Sequence, residues 1–447
     1  MQDNEETIWD VAVIGGGPAG MMSAGRSAEL GAKVILIEKN DTLGKKLLIT
    51  GGGRCNVTNA EYDNRKLLER FKDDGKFLFS AFSQWSVKET LDFFHNHKME
   101  TKIENEQRVF PLSNKAESVW NIMVEYIKSN GVTVLSNSPV TGVSRGEASG
   151  KASGTEKPWI INISGSEASV IRAKSVIIAT GGTSHPETGS TGDAYAWLAK
   201  IGHKIIEPTP SLVPLAVKDS WVKKLAGVSL TNIRLTPFQN GVKQSAKISA
   251  TKKGLAKSTQ KILFTHVGIS GPTVLNMSRD IGELLKYSEV IISLDLLPDF
   301  DYAKLNEKLQ EIFKENDKKK FKNSLDKLIP SAMVPVITEL SKIDSEINCN
   351  SVSREERLRL VTLLKDIPMH IDKLLGVEKA IISSGGVSLE EVDFKTMRSR
   401  ISPNIFLVGD ILNIDRPSGG YSLQICWTTG FVAGTNAVQK SPTLLQG

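Results

Sequence analysis

Cysteine is scarce. Three residues, Cys55, Cys349 and Cys426, are spread over 447 positions with no CxxC spacing, which excludes a disulfide scaffold and a cysteine zinc cluster and leaves thiols that are expected to be reduced. Long apolar runs are missing too: none approaches the roughly 20 residues that a membrane helix needs. Residues 1–10 carry Asp3, Glu5, Glu6 and Asp10 and no base, the opposite of a secretory or transit peptide, so the expected compartment is the cytoplasm. His95 and His97, at i and i+2, face opposite sides of the helix expected there and cannot share a metal.

What is present is ordinary in bulk. With 40% hydrophobic and 24% charged residues the chain reads as globular, and its length exceeds one ordinary core, so two or three units are expected, one inserted in another. The formal charge of +6 is unevenly placed. Between residues 217 and 262 ten bases (Lys218, Lys223, Lys224, Arg234, Lys243, Lys247, Lys252, Lys253, Lys257 and Lys261) face one acid, Asp219, so this segment carries +9 and the rest −3. It is either a solvated lysine-rich stretch or a polyanion-binding face.

A strand at 11–14 runs into Gly15-Gly16-Gly17-Pro18-Ala19-Gly20, an alanine-rich helix reaches residue 30, and a second strand at 34–37 ends on Glu38. Gly15 permits the tight turn, Gly17 lets the backbone approach a pyrophosphate, and Gly20 and Ala24 allow close helix-sheet packing. Glu38 is placed to accept the ribose hydroxyls of an adenosine. Further strands are expected at 132–135, 140–143, 159–163 and 176–179, with a hairpin tip at 146–157. Short strand-like pieces at 214–217, 233–238 and 290–294 suggest a small antiparallel unit, and 301–365 is helical in pattern.

The glycine turn alone does not separate FAD from NAD. The strand ending IIATGG (177–182) and the segment FLVGDI (406–411), with an Asp at a strand end, favour FAD, and no second GxGxxG unit appears. The loops at 51–56 and 417–424 offer close backbone approach and amide donors around a flavin ring.

In order along the chain, LGKKLLITGGGRCNVTNA, ATGGTSHPETGSTGDAYAWLAKIGH, LFTHVGISGPTVLNMS, SSGGVSLEEVDFKTM and GDILNIDRPSGGYSLQICWTTGFVAG resemble the bacterial family of NAD(P)/FAD-dependent oxidoreductases named simply as flavoproteins. The resemblance spans nearly the whole chain. It implies an α/β fold in which a Rossmann-like FAD-binding domain (1–207 and 385–447) is interrupted by a small β-barrel (208–298 and 366–384) and a helical insert (299–365). Its members include a ribosomal RNA dihydrouridine synthase, a bile-acid-pathway reductase and aminoacetone oxidase. Asn413 and Ser422 depart from the family's usual GE-x-LD and GGYN.

The residues expected to hold FAD are Gly15, Gly17, Pro18, Ala19, Gly20, Glu38, Lys39, Lys46, Gly52, Gly53, Arg54, Asn56, Val140, Thr180, Gly181, Gly182, Asp193, Gly409, Asp410, Gly420, Tyr421, Ser422 and Leu423, with NADPH or NADH as reductant. Three residues are candidates for catalysis. Cys55 is either a proton donor or a packed thiol, His266 either a general acid or a core histidine, and Tyr421 either a substrate hydrogen-bond donor or a core tyrosine. Trp221, beside Lys223 and Lys224, is either a core anchor or a base-stacking platform. The leading expectation is reduction of a uridine C5–C6 double bond in ribosomal RNA, with the basic segment 218–261 contacting phosphates. The rival is a small-molecule flavin oxidoreductase, an amine oxidase or an enone reductase.

Overall fold

The run VAVI at 11–14 has no polar residue on either side, and in the computed structural model it is the buried half of the strand Ile8–Ile14. A strand of that kind needs cover on both faces. The structure describes residues 7–146, 157–164, 170–244, 260–375 and 382–438. It divides into two compact units, Met1–Pro210 with Ile381–Gly447, and Ser211–Ala380.

In the first unit Ile8–Ile14 pairs in parallel with Val34–Ile37 on one side and Val170–Ile178 on the other, and Thr133–Leu135 extends the sheet beyond Val34–Ile37. Val170–Ile178 is forked. Its first half pairs antiparallel with Trp159–Ile163, which carries Val140–Arg145 at its outer edge, and its second half pairs in parallel with Ile405–Leu407. The result is a Rossmann-type sheet completed by the returning C-terminal segment. The expected hairpin tip falls largely on residues 147–156, which lie outside the described residues.

Two helices share one face of this sheet. Pro18–Glu29 follows the glycine turn, and the largely buried Tyr421–Val438 lies across it. Glycines set how close they come: an ideal Cβ on Gly430 would stand 2.6 Å from the Ala19 carbonyl oxygen, and one on Gly434 would stand 2.6 Å from that of Ser23. Ser27 Oγ donates to the Gly434 carbonyl at 3.0 Å, and Arg26 Nε donates to Thr435 Oγ1 at 3.0 Å.

The second unit is built on a closed barrel. Ser229–Gln239, Gln260–Phe264, Gly268–Ser270, Leu215–Val217, Ile367–Leu374 and Val290–Asp295 pair antiparallel in that order, and the last pairs back onto the first. The helical segment 299–365 forms Tyr302–Glu315, Val334–Ser341 and Arg354–Lys365, each marked by an apolar face. It is not a third unit. Leu305, Leu309 and Leu360 share one buried cluster with Ile292, Leu294 and Met369 of the barrel, because a charged amphipathic helix must bury its apolar stripe on a neighbour. The unit boundaries fall at 210/211 and 380/381, a few residues from the expected 207/208 and 384/385.

The helix crossing yields a stability prediction. Gly430→Ala places a methyl against backbone rather than a flexible side chain, so unfolding free energy should fall by about 2 kcal/mol or more. Denaturant unfolding followed by circular dichroism reads this, and an unshifted midpoint would show that the crossing tolerates a Cβ.

Candidate functional site

The glycine turn is made by contacts that exclude side chains. Gly15 adopts φ of 103°, and its ideal Cβ would lie 2.5 Å from the Ala179 carbonyl oxygen. A Cβ on Gly20 would lie 1.8 Å from the Gly15 carbonyl oxygen. The N-terminus of Pro18–Glu29 is thereby held at the carboxyl ends of two parallel strands, where its free amides and dipole favour an anion.

A groove opens there. Of the residues predicted from sequence, Gly15, Gly17, Pro18, Ala19, Glu38, Lys39, Lys46, Val140, Thr180, Gly181, Asp193 and Asp410 line it. Gly20, Gly182 and Gly409 are packed behind its wall, Gly409 with an ideal Cβ only 3.0 Å from that of Ala19. The remaining residues predicted to hold FAD lie at a second locus in the same unit, where the loop after Lys45–Gly53 meets the start of Tyr421–Val438. An ideal Cβ on Gly420 would stand 2.4 Å from the Thr58 backbone and 3.0 Å from Asn56 Oδ1. Asn59 Nδ2 donates to the Gly419 carbonyl at 3.1 Å, Thr58 Oγ1 donates to Gln424 Oε1 at 2.6 Å, and Trp427 Nε1 donates to the Val57 carbonyl at 3.0 Å. Lys46 joins the two loci, since it belongs to Lys45–Gly53 and donates to Ser184 Oγ at 2.5 Å and Asp410 Oδ2 at 3.3 Å.

The charged groups of the groove are already engaged with protein. Glu38 Oε2 accepts from the Gly16 amide at 2.7 Å, and Oε1 accepts from the Asn40 amide at 2.8 Å and Asn40 Nδ2 at 2.7 Å. Lys39 Nζ pairs with Asp193 at 2.8 Å and Thr191 at 2.5 Å. Asp410 is held between Lys46 and Arg416, whose side chain is wholly buried. Burial works to raise the pKa of Asp410, but the two cations outweigh it and hold the carboxyl below its ordinary value. Its contribution to stability is therefore complete above the ordinary carboxylate pKa and is lost as pH falls through the lowered folded value.

Several expectations shift once partners are visible. Arg54, expected among the residues that hold FAD, is tied to Glu104 and Asn114 and lies 4.1 Å from the centre of the Phe110 ring. Cys55 is wholly buried in the core and burial pushes its thiol up to about 12, the packed alternative of the two that sequence left open. Tyr421 is 8% exposed and packs edge-on against Phe71. His266 is exposed in the turn between two barrel strands, which removes the core-histidine reading. In the basic segment Lys218 pairs with Glu289 and Lys224 with Glu339, both at 2.6 Å, and Trp221 is buried against Phe264. Trp221 is thus a core anchor, while Lys247, Lys252, Lys253 and Lys257 lie outside the described residues. Sequence reading missed Asn40, Ser138, Ser190, Thr191 and Cys426 in the groove wall and Arg416 behind it. Arg416 carried a weak signal, a lone base in the stretch GDILNIDRPSGG.

The residues present fit FAD. An ideal Cβ on Gly17 would meet nothing within 4 Å, so the backbone is open toward a diphosphate at the helix N-terminus. Thr180 Oγ1 and Asn56 Oδ1 are buried with no hydrogen-bond partner among the described residues, one at each locus. Polar atoms in that state on the wall of a groove are available to a bound group.

The chain matches the family described as "HI0933-like protein Rossmann domain" over residues 9–436. It is 29% identical to a 3-dehydro-bile acid delta(4,6)-reductase of Clostridium scindens, across 96% of this chain and 99% of that protein. It is 24% identical to a ribosomal RNA dihydrouridine synthase of Escherichia coli, across 96% and 98%. Among solved structures, a 3-ketosteroid delta1-dehydrogenase from Sterolibacterium denitrificans superposes with a TM-score of 0.52 at 13% identity, covering 96% of this chain and 99% of that one.

Two outcomes follow from the site. Glu38→Ala removes the carboxylate that the turn is built around, and FAD should bind about 10- to 100-fold more weakly, since charged hydrogen bonds contribute about 1.5–3 kcal/mol. Flavin fluorescence titration measures it, and unchanged affinity would exclude Glu38 from the cofactor site. Cys55, Cys349 and Cys426 are all buried, so the native protein should show no fast-reacting thiol toward a disulfide reagent at pH 8 and three after denaturation.

Proposed function

The chain belongs to the HI0933-like family of Rossmann-fold, FAD-dependent oxidoreductases, and from that premise we propose that it reduces an electron-poor carbon-carbon double bond in a small conjugated carbonyl compound. The observation that carries this is the chemistry shared by two relatives that align over 96% of the chain: one is named as a delta(4,6)-reductase of a 3-dehydro bile acid, and the other makes dihydrouridine. Both products differ from their precursors by two hydrogens across a C=C bond. When bound and reduced by a nicotinamide cofactor, FAD would supply the hydride for that addition.

The chain's own residues bind, orient and protonate. Glu38 and the Gly17 backbone hold the adenosine and diphosphate, and Asp410 with Thr180 holds the ribityl chain. The loop with open backbone at Gly52 and Gly53, where an ideal Cβ would meet no atom within 4 Å, receives the flat substrate over the ring. Tyr421 is the proton donor of this reading. Its hydroxyl carries a proton at neutral pH, and because burial raises its pKa above the ordinary tyrosine value it gives that proton only to a strongly basic carbanion such as the one hydride addition leaves. A small substrate is favoured here over a polyanion because two bases of the segment, Lys218 and Lys224, already pair with Glu289 and Glu339 and Trp221 is buried rather than offered for stacking. Ribosomal RNA is the second reading, supported by the similarity to dihydrouridine synthases of Escherichia coli and Haemophilus influenzae.

The test is anaerobic. Protein reconstituted with FAD and reduced by NADH or NADPH is offered a 3-keto-4,6-diene steroid acid or a ribosomal RNA transcript. Loss of the dienone absorbance with a product heavier by about two mass units is expected, at a rate that Tyr421→Phe lowers by about 10²-fold or more without slowing flavin reduction. Mass gain in the RNA with the steroid unchanged would overturn the small-molecule assignment.

A further inference from the structure

Arg416 is the deepest charge in the first unit. Its side chain is 0% exposed, and its guanidinium bonds Asp410 Oδ1 through Nη1 and the carbonyls of Gly409 and Leu412 through Nη2, at 3.4 and 3.3 Å. Its Nε is buried with no hydrogen-bond partner among the described residues. Asp410 also pairs with Lys46. Within bonding distance one carboxylate therefore answers two cations, and the exposed Glu187 reaches Lys46 only through space, so the buried part of the cluster is net positive.

An uncompensated buried charge is costly, and a protein keeps one where another group completes it. The position indicates which group. Glu38 is bonded to Gly16 at the turn, whereas Gly409 packs on Ala19 in the first turn of Pro18–Glu29, so Asp410 lies past the diphosphate position from the adenosine end. Lys46 leads from there to the Gly51–Gly53 loop of its own helix. The excess charge thus sits behind the wall at the ring end of the groove. The isoalloxazine gains one negative charge when it accepts a hydride, two electrons with one proton, so a fixed cation at that end favours its reduced form in a site of low dielectric.

We propose that Arg416, acting with Lys46 across Asp410, is a positioning residue that sets the reduction potential of the bound FAD by favouring the reduced, anionic ring. This rests on the FAD-dependent reading above. It predicts that the protein binds reduced FAD more tightly than oxidised FAD and that the preference follows charge rather than shape.

The experiment measures the midpoint potential of the FAD-loaded protein by equilibration with a reference dye, for the wild type, Arg416→Met, Arg416→Lys and Lys46→Met. Arg416→Met is expected to cut the preference for reduced FAD about tenfold, a fall of about 30 mV for a two-electron couple. Arg416→Lys keeps the charge and loses the fork, so its potential should stay near the wild-type value even if its melting temperature falls with that of Arg416→Met. Lys46, which is partly exposed, gives a second variant that folds if Arg416→Met does not, and its potential should move in the same direction. FAD bound with an unchanged potential in Lys46→Met and in Arg416→Met overturns the inference alone. Equal shifts in the Met and Lys variants at 416 also overturn it, because shape would then be the cause. Failure of the wild type to bind either form of FAD overturns the functional reading and this inference together.

Discussion

The close crossing of Pro18–Glu29 and Tyr421–Val438 is the constraint on which the rest of the site depends. The two helices come from opposite ends of the chain, and a side chain at Gly430 or Gly434 would meet the backbone carbonyls of Ala19 and Ser23. Because the C-terminal helix is seated this tightly, the segment before it has one route. Ile405–Leu407 must enter the sheet beside Val170–Ile178, and Gly409 must pass over Ala19. Asp410 is delivered to the groove wall by that path, and Cys426, on the first turns of the same helix, closes the wall beside it. A few Cβ atoms missing from two helices therefore place a carboxylate that is distant in sequence from the dinucleotide turn.

Once Asp410 is placed there, the surrounding charges follow from electrostatics. A buried carboxylate is stable only when it is paired, and Lys46 and Arg416 arrive from two different segments to pair it. Arg416 would be intolerable at that depth as an isolated ion, but the carbonyls of Gly409 and Leu412 and the carboxylate of Asp410 take up most of its donors. At the opposite end of the groove the logic is reversed. Glu38 is satisfied by backbone and by Asn40, which fixes its carboxylate in one orientation without adding a positive charge. Glu38 at one end of the groove is thus held by neutral donors, whereas Asp410 at the other is held by two cations.

The part of this that sequence made legible is the part written in local geometry. Strand, glycine turn, helix and acidic strand end occupy one continuous stretch, so Gly15, Gly17, Gly20 and Glu38 could be assigned from spacing alone, and the structure puts all four at the turn. The barrel was harder. Its closure depends on Ser229–Gln239 pairing with both Gln260–Phe264 and Val290–Asp295, long-range partners that no local pattern encodes, and the helices of 299–365 read as a separate insert because their shared core with the barrel is invisible in one dimension. Charge was the least legible feature. A net +9 on paper includes Lys218 and Lys224, whose acids Glu289 and Glu339 are about 70 and 115 residues away. Arg54 looked available for the same reason, with Glu104 and Asn114 unseen. Pairing is a tertiary property, so residue type and spacing overstate how much charge is free to act.

That difference explains why fold and cofactor are easier to read than substrate. A dinucleotide is held by backbone amides, glycines and a few carboxylates at fixed offsets, and these requirements survive wide divergence. A flavin brings its own reactivity, so a chain that holds it well has only to present a different reducible bond to change its activity. Relatives that share one architecture over nearly their whole length can therefore carry names as distant as a bile-acid reductase and an RNA-modifying enzyme. In this chain the backbone is open at Gly52 and Gly53, and the buried Asn56 Oδ1 beside them has no hydrogen-bond partner among the described residues. Substitutions there leave Gly15, Gly20 and Glu38 and the helix crossing untouched, so under the proposed function they alter the choice of substrate before they alter cofactor binding.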